Sequence, residues 1–148
     1  MAGDIYEGKV ERVVDGDTVQ FLTDDYERVR VRLYGIDAPE KDQEGGARSL
    51  EALKGLIDGR RVTVDVLDVD RYSRLVGVIY LDGDSVNQEM VAQGQAWVYD
   101  SYCKSAAVCQ KLRAAQNIAK GASLGVWANP SATPPWEHRR NKRSKKSN

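Results

Sequence analysis

"VVDGDTVQFLTDDYERVRVRL", Val13 to Leu33, decides how the rest of the chain is read. Apolar and polar residues alternate on both sides of the pair Asp15-Gly16, and again beyond the cluster "TDDYE". An Asp-Gly pair between alternating runs is the strongest short-range hairpin signal, and a second set of turn residues returns the chain once more. The stretch therefore predicts a meander of three strands, near 6–14, 17–23 and 28–36. The same alternation over 60–67 and 74–81 adds a fourth and a fifth strand.

Helical spacing appears between and after these strands. "ARSLEALKGLIDG" places Leu50, Leu53 and Ile57 on one face with Gly59 as its stop, and bridges strands three and four. "DSVNQEMVAQG" predicts a second helix, capped by Asp84 or Ser85 and ended by Gly94. A third is expected over 105–120, through Val108, Leu112, Ala115 and Ile118. One helix inserted among five short strands, with two later ones, predicts an α+β, β-rich fold: a five-stranded Greek-key barrel of the OB type packed with three helices. With 148 residues the chain has the size of one domain, expected over 1–128. Residues 129–148, "NPSATPPWEHRRNKRSKKSN", carry Pro, Ser and charge but little apolar content, and are read as an extension followed by a disordered basic tail. Within it, Trp136 is the residue expected to pin "PPW" to the body.

The formal net charge is zero, but six Lys/Arg and one Glu lie in residues 137–148, which leaves the body acidic at −5. No apolar run approaches the roughly 18 residues of a membrane span, and "MAGDIYEGKV" lacks the regions of a signal peptide. Cys103 and Cys109, the only cysteines, stand about 240° apart if both are helical. They can pair only if Cys103 precedes the helix; the alternative is two unpaired buried residues. With His138 as the sole histidine, four structural zinc ligands are not available.

The third strand ends in "IDAPE", where Asp37 and Glu40 flank a Pro39 that stiffens the turn. Alone this reads as an Asp-X-Pro turn, and "DGDT" alone as a hairpin. Arg28, Arg30 and Arg32 make one face of the third strand basic, and Arg74 opens the fifth after a polar turn containing Arg71 and Tyr72. The joint pattern carries more than its parts. DGDTV, RLxxIDAPE, DRYxRLxxxIYxDGxxVNxxxVxxG, LxxA and GVW, in order over residues 6–128, closely resemble the staphylococcal nuclease, or thermonuclease-like, family.

That resemblance implies a calcium-dependent phosphodiesterase that hydrolyses DNA and RNA and leaves 3′-phosphate ends. The family's calcium (Ca2+) ligands match Asp17, Asp37 and the backbone carbonyl of Ala38. Its phosphate-binding arginines match Arg32 and Arg74, and its proposed general base matches Glu40. Arg71, Tyr72 and Tyr102 match residues near the bound nucleotide, while the other late tyrosine position holds Asp100 with Tyr99 beside it. Each of these tyrosines either touches substrate or covers the barrel rim.

The residue types suit the chemistry. Attack on a phosphodiester builds negative charge that cations must meet. Calcium takes oxygen ligands, and arginine's fixed fork holds phosphate oxygens in pairs. A body without histidine excludes a two-histidine ribonuclease mechanism. The partner expected is single-stranded or locally open DNA or RNA, with no membrane and a monomeric enzyme. The basic tail is either a solubilising block or a non-specific grip on nucleic acid. Calcium dependence and a disulfide favour an exported protein whose leader is absent from this chain, with a cytoplasmic setting as the alternative. A second class stays open: a catalytically weak module that binds nucleic acid or protein, although such copies usually lose the charged residues retained here.

Overall fold

The computed structural model describes residues 3–147. Alternation in the sequence becomes a row of strands: β1 (Ile5–Asp15), β2 (Thr18–Thr23), β3 (Arg28–Leu33), β4 (Ile36–Asp37), β5 (Arg61–Val69), β6 (Leu75–Leu81), β7 (Asp84–Ser85) and β8 (Trp97–Val98). Helices α1 (Gly46–Ile57), α2 (Val86–Ala92), α3 (Ala106–Gly121) and α4 (Pro135–Ser147) complete it. The main sheet runs β3-β2-β1-β5-β6-β7, and a parallel pairing of β3 with β6 closes the five long strands into a barrel. Every other residue points inward. Val10, Val19, Phe21, Val31, Val64 and Ile79 are fully buried there, and their apolar area removed from water is the main stabilising term.

The helices cover what the barrel leaves open. Leu53 and Ile57 of α1 and Met90 and Val91 of α2 are fully buried. Ser85 caps α2 by accepting from the Gln88 amide at 3.1 Å. Helix α3 buries Cys109, Leu112, Ala115 and Ala119. Its apolar stripe is thus rotated from the expected one: Ile118 is exposed, because a cysteine bonded at the helix start fixes which side faces the core. A disulfide joins Cys103, in the extended turn before α3, to Cys109, with Cα atoms 5.9 Å apart.

Two expectations require correction. The third strand does not run to residue 36; it stops at Leu33, and the chain turns at Tyr34-Gly35 so that β4 leaves the barrel and pairs with β8, Ile36 opposite Val98 and Asp37 opposite Trp97. Asn87, fully buried, holds this crossing: its Nδ2 donates to the Tyr34 and Gly77 carbonyls at 3.0 and 3.1 Å, and its Oδ1 accepts from the Ile79 amide at 3.0 Å. Among the described residues there are also four α-helices rather than three, because the segment read as a disordered tail forms α4. Pro135 at its first position has no amide hydrogen to leave unpaired, and Glu137 in the first turn meets the positive end of the helix. Trp136 does pin the segment, stacked on Tyr99 at 5.0 Å and 7° between planes. None of the described helices is long and apolar enough to cross a membrane.

Candidate active site

The β1–β2 turn, the end of β3, β4 and the loop before α1 converge on one cluster of charge. Asp17 leaves the hairpin beside Gly16, whose role differs from a turn glycine's: its φ is not positive, but a Cβ there would lie 1.9 Å from Ser49 Oγ and 2.8 Å from Ala38 Cβ. The absent side chain lets the hairpin close against α1 and against Ala38. Gly46 does the same for the loop, since a Cβ there would meet the Glu40 carbonyl oxygen at 2.0 Å.

Asp17 is held from three sides. One carboxylate oxygen accepts from the Ala38 amide at 2.8 Å and from Arg32 at 2.9 Å; the other accepts from the Thr18 hydroxyl at 3.1 Å. Burial pushes this carboxyl upward, but the Arg32 charge and hydrogen bonds from Asp15, the Ala38 amide and Arg32 outweigh it and hold it at about 2. Its neighbour Asp15 goes the other way, pushed up to about 7 by burial and then by the Asp17 charge. Arg32 also reaches Asp37 Oδ1 at 3.4 Å and the Ile36 carbonyl at 3.3 Å. Burial alone would lower the guanidinium's affinity for its proton; Asp17 and Asp37 more than reverse that. The Asp37 side chain is 1% exposed, and burial holds its carboxyl above the usual range against the pull of the arginines.

The structure therefore brings Asp17, Arg32, Asp37, Ala38 and Glu40 together. Arg74 lies on the neighbouring strand, just before Leu75, which pairs with Val31, and its described side-chain contacts are to the 70–72 turn rather than to this cluster. Its Nε donates to Asp70 at 2.7 Å, and its guanidinium lies 5.5 Å from the Tyr72 ring, with Arg71 on the same ring at 5.0 Å. Tyr72 and Tyr102 are exposed, as a surface for stacking would require. Tyr99 is half-buried, with the Tyr102 ring at 4.6 Å and the Trp136 ring at 5.0 Å.

One residue of this cluster was not singled out by sequence. Arg139 of α4 donates to Asp37 Oδ1 at 3.1 Å and Oδ2 at 2.6 Å, and to Glu40 Oε1 at 2.6 Å. Burial disfavours its charge, and the paired carboxylates more than restore it. The signal that would have found α4 is "PPWE", a proline start with an acid in the first turn.

The donor set suits a hard cation. Asp17 and Asp37, two buried carboxylates, both bond Arg32 beside the Ala38 backbone, and neither has a His or Cys among its described partners. Among the described residues no three His, Cys, Asp or Glu gather as a metal cluster. An ion held by Asp17 and Asp37 would complete its shell with carbonyl, water and phosphate oxygens.

Comparison with known proteins places the chain among its relatives. The family described as "Staphylococcal nuclease homologue" matches residues 30–129. An uncharacterised endonuclease of Escherichia coli is 42% identical over 143 residues, covering 96% of this chain and 90% of that protein. A micrococcal nuclease of Shigella flexneri is 35% identical over 144 residues, 91% of this chain and 81% of that protein. An uncharacterised endonuclease of Haemophilus influenzae is 36% identical over 132 residues, covering 89% and 72% respectively.

Proposed function

The chain belongs to the staphylococcal nuclease family, and from that premise we propose that it is a calcium-dependent nuclease hydrolysing DNA and RNA where strands are single or locally open. The observation that carries this reading is the convergence of Asp17, Arg32, Asp37 and Glu40 at one end of the barrel, from the β1–β2 turn, β3, β4 and the loop before α1.

Arg32, fixed by two carboxylates, presents its remaining donor capacity to a phosphate oxygen, and Arg74 supplies a second cation from the neighbouring strand. Glu40 takes a proton from the attacking water, whose oxygen bonds to phosphorus while the 5′ oxygen departs and takes a proton from solvent water, leaving a 3′-phosphate and a 5′ hydroxyl. Asp17, Asp37 and the Ala38 carbonyl are the groups that would hold calcium, which when bound supplies positive charge to the phosphoryl oxygens. Tyr72 and Tyr102 offer exposed rings for bases. The Cys103–Cys109 disulfide supports an oxidising, exported setting.

The test is cleavage of single-stranded DNA by the pure protein under calcium, magnesium or chelator, alongside Arg32→Ala. We expect cleavage that needs calcium and is lost in the variant. Cleavage indifferent to both would refute the mechanism, and none under any divalent ion would make the protein a binding module.

A further inference from the structure

The contact of α4 with the site is made by charge and one aromatic stack. Arg139 spans Asp37 and Glu40; His138 and Lys142 sit on Asp42 at 3.2 and 2.5 Å; Trp136 stacks on Tyr99; and Gln43 ties the approach by donating to the Thr133 carbonyl at 2.6 Å. The crevice beside the Arg139–Glu40 pair, about 290 Å³, is lined by Glu40, Asp42, Arg139, Lys142 and Arg143, all charged. Pro135 is the one described residue of α4 that is buried; the rest of the dock rests on the Trp136 stack and on ion pairs open to water, which hold weakly. The helix also depends on the dock. Arg139, Lys142 and Arg143 are spaced three and four apart, where like charges repel along a helix, and 13 residues are marginal for a helix alone.

The guanidinium of Arg139 uses both oxygens of Asp37 and one of Glu40. A divalent cation on Asp37 would need one of those oxygens and would repel the guanidinium beside it. Arg139 occupies one Glu40 oxygen, which leaves only the other to meet a water. We propose that α4 is an autoinhibitory strap: Arg139 stands in for the cation at Asp37 and Glu40, so that docking of α4 and binding of calcium exclude one another. This rests on the calcium reading of the site. Because coupling between two binding events is reciprocal, the factor by which Arg139 weakens calcium is the factor by which calcium loosens α4.

The experiment is calcium titration by calorimetry on the full chain, as wild type, Arg139→Gln and Trp136→Ala, with amide exchange of α4 followed with and without calcium. Arg139→Gln should bind calcium about tenfold more tightly, within the usual range of such couplings. Trp136→Ala removes no charge but weakens the dock, and should shift affinity in the same direction. Calcium should speed exchange of the α4 amides in wild type. Unchanged or weaker calcium binding in either variant, or α4 exchange indifferent to calcium, would overturn the strap. If Asp37→Ala then lowers calcium affinity in the Arg139→Gln background, the calcium reading survives that failure. If no variant binds calcium at all, both readings fall together.

Discussion

Asn87 tests whether the crossing from β3 to β4 governs the site. The side chain is fully buried and satisfied: two donors reach the Tyr34 and Gly77 carbonyls and one acceptor takes the Ile79 amide. Asn87→Ala strips all three contacts. The Ile79 amide has one hydrogen and loses its partner outright, at about 1–3 kcal/mol, while the Gly77 carbonyl still accepts from the Tyr34 amide at 2.8 Å. Each carbonyl loses one bond of about 1 kcal/mol, so the total is about 4 kcal/mol. For a chain of this size that is a fall in Tm of about 8–16 °C. Urea unfolding followed by circular dichroism measures it, with an unchanged m-value showing that the difference lies in stability. Tyr34 lies three residues before Asp37, so calcium affinity should fall as well in the folded variant. A loss below about 1 kcal/mol, or one confined to the m-value, would refute the claim that this side chain holds the crossing.

Other substitutions address the chemistry. Arg32→Lys should lower turnover by about a hundredfold in single-turnover cleavage, because a point charge cannot bridge Asp17 and Asp37 while meeting phosphate. Asp37→Ala should weaken calcium binding in calorimetry, whereas Glu40→Gln should slow cleavage without weakening that affinity. Replacing Cys103 and Cys109 by serine should cost about 2 kcal/mol in urea unfolding, the chain-entropy value for so short a loop, with cleavage at low temperature unchanged.

The barrel could be read from sequence because its information is local: alternation over a few residues settles which side chains face inward, and the hairpin at Asp15-Gly16 forms as its composition suggests. The same locality sets its limits. Gly16 marks a turn, yet what demands a glycine there is Ser49, on a helix that no turn rule can see. The end of β3 was misplaced because Asn87 and β8, far along the chain, decide where it leaves the barrel. Asp17, Arg32, Asp37 and Glu40 were legible only through a joint pattern, since each alone is an ordinary turn or strand residue. Arg139 lies further out of reach, 102 and 99 positions from the carboxylates it binds. Taken by itself, its segment is a block of like charges that opposes a helix, and composition accordingly suggests disorder. Set against Asp37, Glu40 and Asp42, those charges become the reason the helix exists. If a cation takes the same carboxylates, as the strap proposal has it, α4 loses that support as the cation binds.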